Sequence, residues 1–557
     1  MTKKRKKLII IMLIAAAVLT VIYFAVLSPI IKKMNTSEDN PEELLQGELL
    51  DSSGNIMMFE KIERANLKRI EVHNSYGVWA MYRADDDNFY IENHESVPYN
   101  ENVFSSLIVS AGDTISLRRV TADCKDFSEY GLDDSNNPAW YKIISLDGIE
   151  HVVYIGDQIP TSGGYYARYE GRNAVYILTK SIANTLLAPV TAIAHSMVSY
   201  PMSTTTYYQT RDFYIMRDGK MFAWIDLDES ASSSSSSSDS EQASSIKYKM
   251  KAPVGFVPNS TTYSEILTKF SDFSGKGVVE IGPELSDLSL SEDEETQELL
   301  ERIKEYGNVT DIDISSEEYQ YLCVEQITTL MRAMFGKDTL DKYGLYEPET
   351  VLHYTYNGVE SFVLFGDEQD DGYRYAYSAL WNTIVAFDPD DLDFLEWGLL
   401  QYVDKSLFSI DITTVKQLTF KSDEISETFD FGVDAAAQTI TVTPQSTGEV
   451  FGANQLYNFR SFYRSLLAIS LEGYAESTTE DNLMLSFEIR TYDGTIYDFK
   501  FYRYSTRRCY YTINGTGEFY VLSDSIDKVI SDCKKLMNSQ DVDSWAKNLY
   551  RLQSLFY

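Results

Sequence analysis

Cysteine is scarce in this sequence: Cys124, Cys323, Cys509 and Cys533 are four thiols in 557 residues. None forms a Cys-x-x-Cys pair, which excludes a zinc ribbon or a dithiol redox motif, and four scattered thiols cannot make the disulfide framework of a small secreted domain. A Cys509–Cys533 bridge and buried free thiols are both open readings, so stability has to come mainly from packing. Histidine is almost as rare, with His73, His94, His151, His195 and His353 alone. These five hold non-equivalent places in the self-similarity described below, which argues against a shared catalytic histidine and for ordinary surface or hydrogen-bonded side chains.

Signatures of chemistry are missing too. There is no Gly-x-Ser-x-Gly elbow, no His-Glu-x-x-His, no Gly-x-x-x-x-Gly-Lys-Ser/Thr loop and no dinucleotide Gly-x-Gly-x-x-Gly after a strand. Two carboxylates suffice for a glycosidase, but 84 acidic residues make any one pair undiagnostic. Asp85-Asp86-Asp87-Asn88 reads as a hairpin loop and Asp388-Pro389-Asp390-Asp391 as a turn opening a helix. Neither has the Asp-x-Asp-x-Asp-Gly and later Glu of a calcium loop. No catalytic, cofactor-binding or metal-ligating residue is assigned, and no cofactor is expected.

Positive charge is confined to one end. The formal net charge is −36, and the first 33 residues contribute +7 without an acid, which leaves −43 on residues 34–557. Nucleic-acid binding needs clustered Lys and Arg to displace counterions from phosphates, so it is excluded. Anionic headgroups are repelled as well, and the acidity reads as keeping an exported protein soluble before it reads as a surface for a basic partner or diffuse cations.

What the sequence does have begins with Lys3, Lys4, Arg5, Lys6 and Lys7, followed by the uncharged run Leu8 to Leu27. Twenty residues with only Thr20 and Tyr23 as polar groups span roughly 30 Å at helical rise, the hydrocarbon thickness of a bilayer, and the basic cluster stays cytoplasmic. The expectation is an uncleaved single-pass anchor with an extracytoplasmic C-terminal bulk. A cleaved signal peptide competes, but its apolar core is about 7 to 15 residues, and Ala15, Ala16 and Ala17 sit well inside the run. No cysteine follows the span to carry a lipid.

Self-similarity organises the remainder. Tyr130-Gly131-Leu132 recurs as Tyr343-Gly344-Leu345. Asp147-Gly148-Ile149-Glu150 before His151 to Ile155 and Gly156-Asp157 recurs as Asn357-Gly358-Val359-Glu360 before Ser361 to Phe365 and Gly366-Asp367. Asp-Gly and Asn-Gly between β-rich runs are hairpin signals of the type I′ turn. A second strand pair follows each, from Tyr165 and from Tyr373. A worn third copy runs through Asp493-Gly494 and Asn514-Gly515, with Tyr502-Arg503 in place of Gly-Asp and no Tyr-Gly-Leu. Helix-period residues precede each copy: Phe104, Leu107, Ile108 and Ala111; Ile327, Leu330, Met331 and Met334; Phe459, Phe462, Tyr463, Leu466 and Leu467. The fold expected is α+β, an N-terminal transmembrane helix followed by repeated antiparallel β-hairpin/helix modules with helices on one face, because two-residue turns join antiparallel strands.

The expected organisation is a basic stub and anchor at 1–33, a juxtamembrane segment at 34–65 and modules at 66–200, 201–408 and 409–540. The tail at 541–557 carries Trp545, Leu549, Leu552 and Leu555. The second module contains a Ser-rich and acidic insertion at 229–316, with Ser232 to Ser238 unbroken and an exposed helix over Ser291 to Tyr306. Gly156-Asp157 and Gly366-Asp367 read as strand-end loops before catalytic ones. Tyr165, Tyr166, Arg168, Tyr373, Arg374 and Tyr375 read either as core or as an exposed aromatic strip for protein or glycan.

Tyr130-Gly131-Leu132-Asp133, Pro138-Ala139-Trp140, Leu146-Asp147-Gly148, Tyr154-Ile155-Gly156-Asp157, Gly164-Tyr165-Tyr166-Ala167-Arg168 and Val175-Tyr176-Ile177 together resemble the DUF4340 domain, a bacterial family of uncharacterised function. The likeness covers about residues 66 to 190 and continues more weakly through the second module. Members are typically membrane-anchored and often encoded beside ABC-transporter permease and ATPase subunits. The resemblance implies an accessory extracytoplasmic role and no catalytic residues. The function expected is a non-enzymatic interaction or ligand-binding component of an ABC-type transport or envelope complex. The alternatives are a carboxylate-dependent cell-envelope glycan hydrolase, and an adhesin or cell-wall-binding module, for which Leu552 to Tyr557 offers no sorting signal.

Overall fold

The computed structural model describes residues 43–228, 248–253, 256–309, 312–408, 410–434 and 439–542. The expected span Leu8 to Leu27, the Ser232 to Ser238 run and the Trp545 to Leu555 series lie outside them. Among the described residues no helix is long and apolar enough to cross a membrane. The chain divides into two units, one of residues 43–92 and 101–189 and one of residues 93–100 and 190–542.

The first unit holds one antiparallel sheet. Its strands are β1 (Leu49–Leu50), β2 (Ile56–Met57), β3 (Leu67–Asn74), β4 (Gly77–Arg83) and β5 (Phe89–Ile91), then, after helix α1 (Glu101–Gly112), β6 (Ile115–Thr121), β7 (Ala139–Ser145), β8 (Glu150–Gln158), β9 (Gly164–Tyr169) and β10 (Val175–Thr179), which leads into α2 (Lys180–Leu186). The strand order is β1-β2-β6-β10-β9-β8-β7-β3-β4-β5. Helix α1 buries Phe104, Leu107, Ile108 and Ala111, the residues its period selects.

Two sheets occupy the second unit. One comprises β11 (Arg211–Arg217), β12 (Lys220–Leu227), β13 (Tyr248–Ala252), β14 (Gly277–Ile281), β15 (Thr350–Tyr356), β16 (Val359–Glu368), β17 (Arg374–Ser378) and β18 (Thr383–Phe387), with α3 (Ser260–Lys269) before β14 and α4 (Leu285–Ser289), α5 (Glu294–Gly307) and α6 (Glu317–Lys342) after it. Beyond the short α7 (Leu399–Tyr402) comes the other: β19 (Val415–Ser422), β20 (Ser426–Asp434), β21 (Thr439–Pro444), helix α8 (Ala453–Leu467), β22 (Gly473–Tyr474), β23 (Leu483–Thr491), β24 (Ile496–Arg503), β25 (Arg508–Ile513), β26 (Phe519–Leu522) and helix α9 (Ser523–Met537).

The sheet orders are β13-β12-β11-β15-β16-β17-β18-β14 and β21-β20-β19-β23-β24-β25-β26-β22. Without β1 and β2, the first sheet runs β5-β4-β3-β7-β8-β9-β10-β6, the same path. Three strands meander, a helix carries the chain to the far edge for the fourth strand, and four more run in sequence between them. The chain is therefore α+β with antiparallel sheets.

Two details depart from the sequence expectation. The counterpart of α1 and α8 in the second sheet is α3, whereas Ile327, Leu330, Met331 and Met334 lie on α6. Helix α6 covers the opposite face, so this sheet is buried on both sides rather than one. Its core there joins Tyr214, Met216, Met331, Leu340, Leu364 and Tyr377, while Phe270 stacks on Tyr354 and Phe213 meets Tyr263 on the α3 side. Within 229–316, β13, α3 and β14 occupy positions common to all three sheets, and the elements peculiar to the second are α4 and α5 there and α6 directly after it. Helix α5 has no buried residue, in keeping with the exposed helix read over Ser291 to Tyr306.

The glycine turns separate into two kinds. Asn357-Gly358 and Asn514-Gly515 have positive φ at both residues, 52° and 77° in the first and 51° and 81° in the second, the type I′ geometry. At Asp147-Gly148 and Asp493-Gly494 only the glycine is left-handed. There the aspartate closes a longer loop: Asp147 Oδ1 accepts from Ser145 Oγ and Ile149 N, and Asp493 Oδ1 from Thr491 Oγ1 and Thr495 N.

Candidate functional site

Cross-strand register places Val78, His73, Trp140, Tyr154 and Arg168 in one row across β4, β3, β7, β8 and β9. Alternation along each strand puts this row on the face opposite the core residues Val72, Tyr141 and Val153. The His73 ring stacks on Trp140 at 5.6 Å, and the Arg168 guanidinium lies 4.5 Å from the Tyr154 centroid and 4.7 Å from that of Phe127. Val78 is 66% exposed, and the other four are half-buried. The next row is charged: Glu71 accepts from Lys142 at 2.8 Å and Arg69 at 2.7 Å, and Arg69 also pairs with Glu92 at 2.6 Å. Burial opposes ionisation of Glu71, but the two cations outweigh it and hold its pKa below the usual range. Rings offering area, an arginine on an aromatic face and a neutralised flank are what protein interfaces use.

The same face differs in the other sheets. In the second, the row is Met221, Met216, Val351, Leu364, Tyr377 and Ile384, apolar because α6 lies on it. In the third, it is Ser426, Lys421, Ser486, Lys500 and Thr512, a polar row that is exposed at Ser426 and Lys421, half-buried at Ser486 and Lys500 and buried at Thr512. The neighbouring row of that face carries Tyr502, Tyr510 and Tyr520, with Arg508 4.6 Å from the Tyr520 centroid, but Tyr502 and Tyr510 are each 5% exposed, whereas the aromatic row of the first sheet is half-buried. Sequence reasoning missed this row because its members come from five strands, and no local run contains more than one of them.

The strip read from sequence does not form one surface. Tyr165 and Tyr166 are adjacent on β9 and point to opposite faces. Tyr373 is 40% exposed, but Arg374 and Tyr375 are buried. Arg374 donates to Gly366 O at 2.7 Å and Thr350 Oγ1 at 3.2 Å and pairs with Glu396. Beside it, Glu349 has its pKa pushed up, first by its hydrogen bond to Asp367 and then by burial. Glu349 and Asp367 are a carboxyl pair on the surface, with Arg374 beneath.

The recurrent Gly-Asp and Tyr-Gly-Leu motifs pack on each other. A Cβ on Gly156 would collide with the Tyr130 carbonyl oxygen, one on Gly366 would collide with that of Gly344, and one on Gly131 would lie 2.7 Å from Asp157 Oδ1. Gly131 and Gly344 end their turns at φ 67° and 66°. The third sheet lacks both motifs. Their joint presence and joint loss follow from this contact.

His353 is the exception among the histidines. It is 2% exposed, stacked on Tyr214 at 4.6 Å and tilted against Phe362 at 4.2 Å, with Nδ1 2.8 Å from Asp212 O. Its Nε2 has no partner among the described residues, and burial pushes its pKa down to about 4 against the opposing bond to Asp212. His151 stacks on Phe59 at 4.2 Å with Nδ1 2.8 Å from the Tyr169 hydroxyl, and burial lowers its pKa. His195 Nδ1 accepts from Met197 N.

Asp86 accepts from Asn88 N and the Tyr90 hydroxyl inside its hairpin, and Asp388 caps the turn Pro389–Leu395. Among the described residues no group of three His, Cys, Asp or Glu is arranged to hold a metal. All four cysteines are free thiols, and burial raises the pKa of Cys533 strongly. The Cys509 thiol lies 3.3 Å from Ser523 Oγ.

Residues 90–291 match the family model for a domain of unknown function, DUF4340. The DUF4340 match opens in β5 and closes after α4, so it contains the first Tyr-Gly-Leu and Gly-Asp pair and three of the five row residues, Trp140, Tyr154 and Arg168. It starts later than the resemblance read from sequence, at residue 90 instead of 66, and ends at 291, part-way through the second module over which the weaker likeness was read. No curated protein and no solved structure matches the chain.

Proposed function

We propose that this chain is a single-pass, membrane-anchored extracytoplasmic binding protein, an accessory component of an ABC-type transport or envelope complex that performs no catalysis of its own. The observation that carries the reading is the open row His73, Trp140, Tyr154 and Arg168. Nothing in it is set up as acid, base or nucleophile, and everything in it suits contact with a protein surface. The basic cluster and apolar run at Lys3 to Leu27 support the anchor and its orientation. The likeness to DUF4340 supports the neighbourhood of a transporter. The shared strand order supports reading the sheets as three copies of one unit, of which the second surrendered its outer face to α6 and the first kept it for a partner.

The buried anchor of the first sheet's edge fits this role. Glu48, fully buried, pairs with Arg119 and accepts from the Tyr176 hydroxyl at 2.7 Å and Leu45 N at 2.8 Å. Fifteen residues separate Leu27 from this clamp's outermost member, Glu43, whose carbonyl accepts from Arg119 at 3.1 Å. Even fully extended they reach only about 50 Å, so the unit bearing the aromatic row stays near the bilayer.

The test is mild cross-linking of the full-length protein in native membranes followed by identification of what copurifies. Recovery of an ABC permease and ATPase in comparable amounts supports the proposal. Recovery of the protein alone, together with release of fragments from purified cell wall, overturns it in favour of a hydrolase.

A further inference from the structure

A cleft of about 540 Å³ lies in the second unit between the segment leading into β19 and helix α8. That volume is in the range of small-molecule sites, roughly 300–1,000 Å³. Its floor is apolar, made by the half-exposed Ile410, Ile412 and Leu467. The floor is fixed in place. Phe408 is buried 5.0 Å from Phe499, and the Tyr463 hydroxyl donates to Ile410 O at 3.0 Å, tying the segment to the helix.

The rim is cationic. Arg460 and Arg464 are one turn apart on α8, both exposed and both lining the cleft. Neither has an ion-pair or side-chain hydrogen-bond partner among the described residues. That is conspicuous where residues 34–557 carry −43 and most other cleft-lining cations are paired, as Lys534 is with Glu424. The single acid at the mouth, Asp411, turns its Oδ1 back to Thr413 N and Oγ1, each at 2.8 Å. Two guanidiniums with ten N–H donors between them and no acceptor suit a tetrahedral or planar oxyanion, and the floor suits hydrocarbon.

We propose that this cleft binds an anionic amphiphile, its phosphate or carboxylate head between Arg460 and Arg464 and its apolar body over Ile410, Ile412 and Leu467. The site is separate from the open face of the first sheet and does not depend on the identity of the partner there.

The test uses the full-length protein and an octyl phosphate carrying a diazirine at the tail end, with photolabelled peptides mapped by mass spectrometry. The expected result is labelling confined to residues 406–412 and 460–467. Excess octyl phosphate displaces it, equal concentrations of inorganic phosphate or octyl glucoside do not, and Arg460→Gln/Arg464→Gln reduces it at least tenfold at unchanged melting temperature. Displacement by inorganic phosphate would reduce the site to a plain anion site, and displacement by octyl glucoside to a plain apolar one. Either result, labelling spread along the chain, or undiminished labelling of the double variant overturns the proposal.

Discussion

Gly156 on β8 lies directly against the carbonyl oxygen of Tyr130, so close that no side chain fits between them. The obstacle is backbone, which cannot swing away as a flexible side-chain end could. Gly156→Ala is therefore expected to destabilise the first unit by about 2 kcal/mol, the cost of overpacking at a rigid site. Gly366→Ala should do the same in the second unit against Gly344. Hydrogen exchange resolved by segment checks both, since a chain with two units need not unfold in one step.

His353 makes stability depend on pH in a defined window. Its pKa is about 4 in the fold against 6.5 for the free side chain. The unfolded chain therefore takes up the proton first as pH falls. The contribution of neutral His353 is complete above pH 6.5 and is lost between 6.5 and about 4, amounting to roughly 3 kcal/mol. Denaturation of wild type and His353→Phe at several pH values should give a difference that shrinks across this window in the direction of the variant.

Glu48 holds residues 43–58 to the edge of the first sheet. Glu48→Gln removes the charge partner of Arg119, whose side chain is only 5% exposed, and should cost about 3 kcal/mol locally. The readout is limited proteolysis, with new cleavage before Met58 and none in the second unit.

Much of the fold was legible because its signals are local. Asn357-Gly358 and Asn514-Gly515 announce their hairpins through the φ each residue must adopt, and Phe104 to Ala111 mark a helix by period. Asp147-Gly148 carries the same turn signal, but the aspartate bonds within its own loop, which lengthens it. The apolar spacing of helix α6 matches that of α1 and α8. Spacing says that a helix has a buried side, not which face of a sheet receives it. The candidate site was less legible still. Trp140 and Tyr154 are neighbours only through the β7–β8 register, and Arg374 looks like a surface residue until Gly366 and Glu396 are brought to it.

The contrast between equivalent faces gives a paired prediction. Leu364 lies under α6 with no exposure, and Leu364→Ala should cost about 2–5 kcal/mol. Trp140→Ser on the open row should cost little stability and instead reduce partner recovery from membranes several-fold, checked by melting and quantitative pull-down on the same preparations.

The most direct test of the account places a photo-cross-linking phenylalanine derivative at Trp140 and, in a second protein, at Ser486, which occupies the comparable place on the polar face of the third sheet. Irradiation of native membranes should give a discrete adduct with one membrane protein from position 140 and none from position 486. Equal adducts from both positions, or none from 140, would contradict the claim that the open aromatic face of the first sheet is where this protein meets its partner.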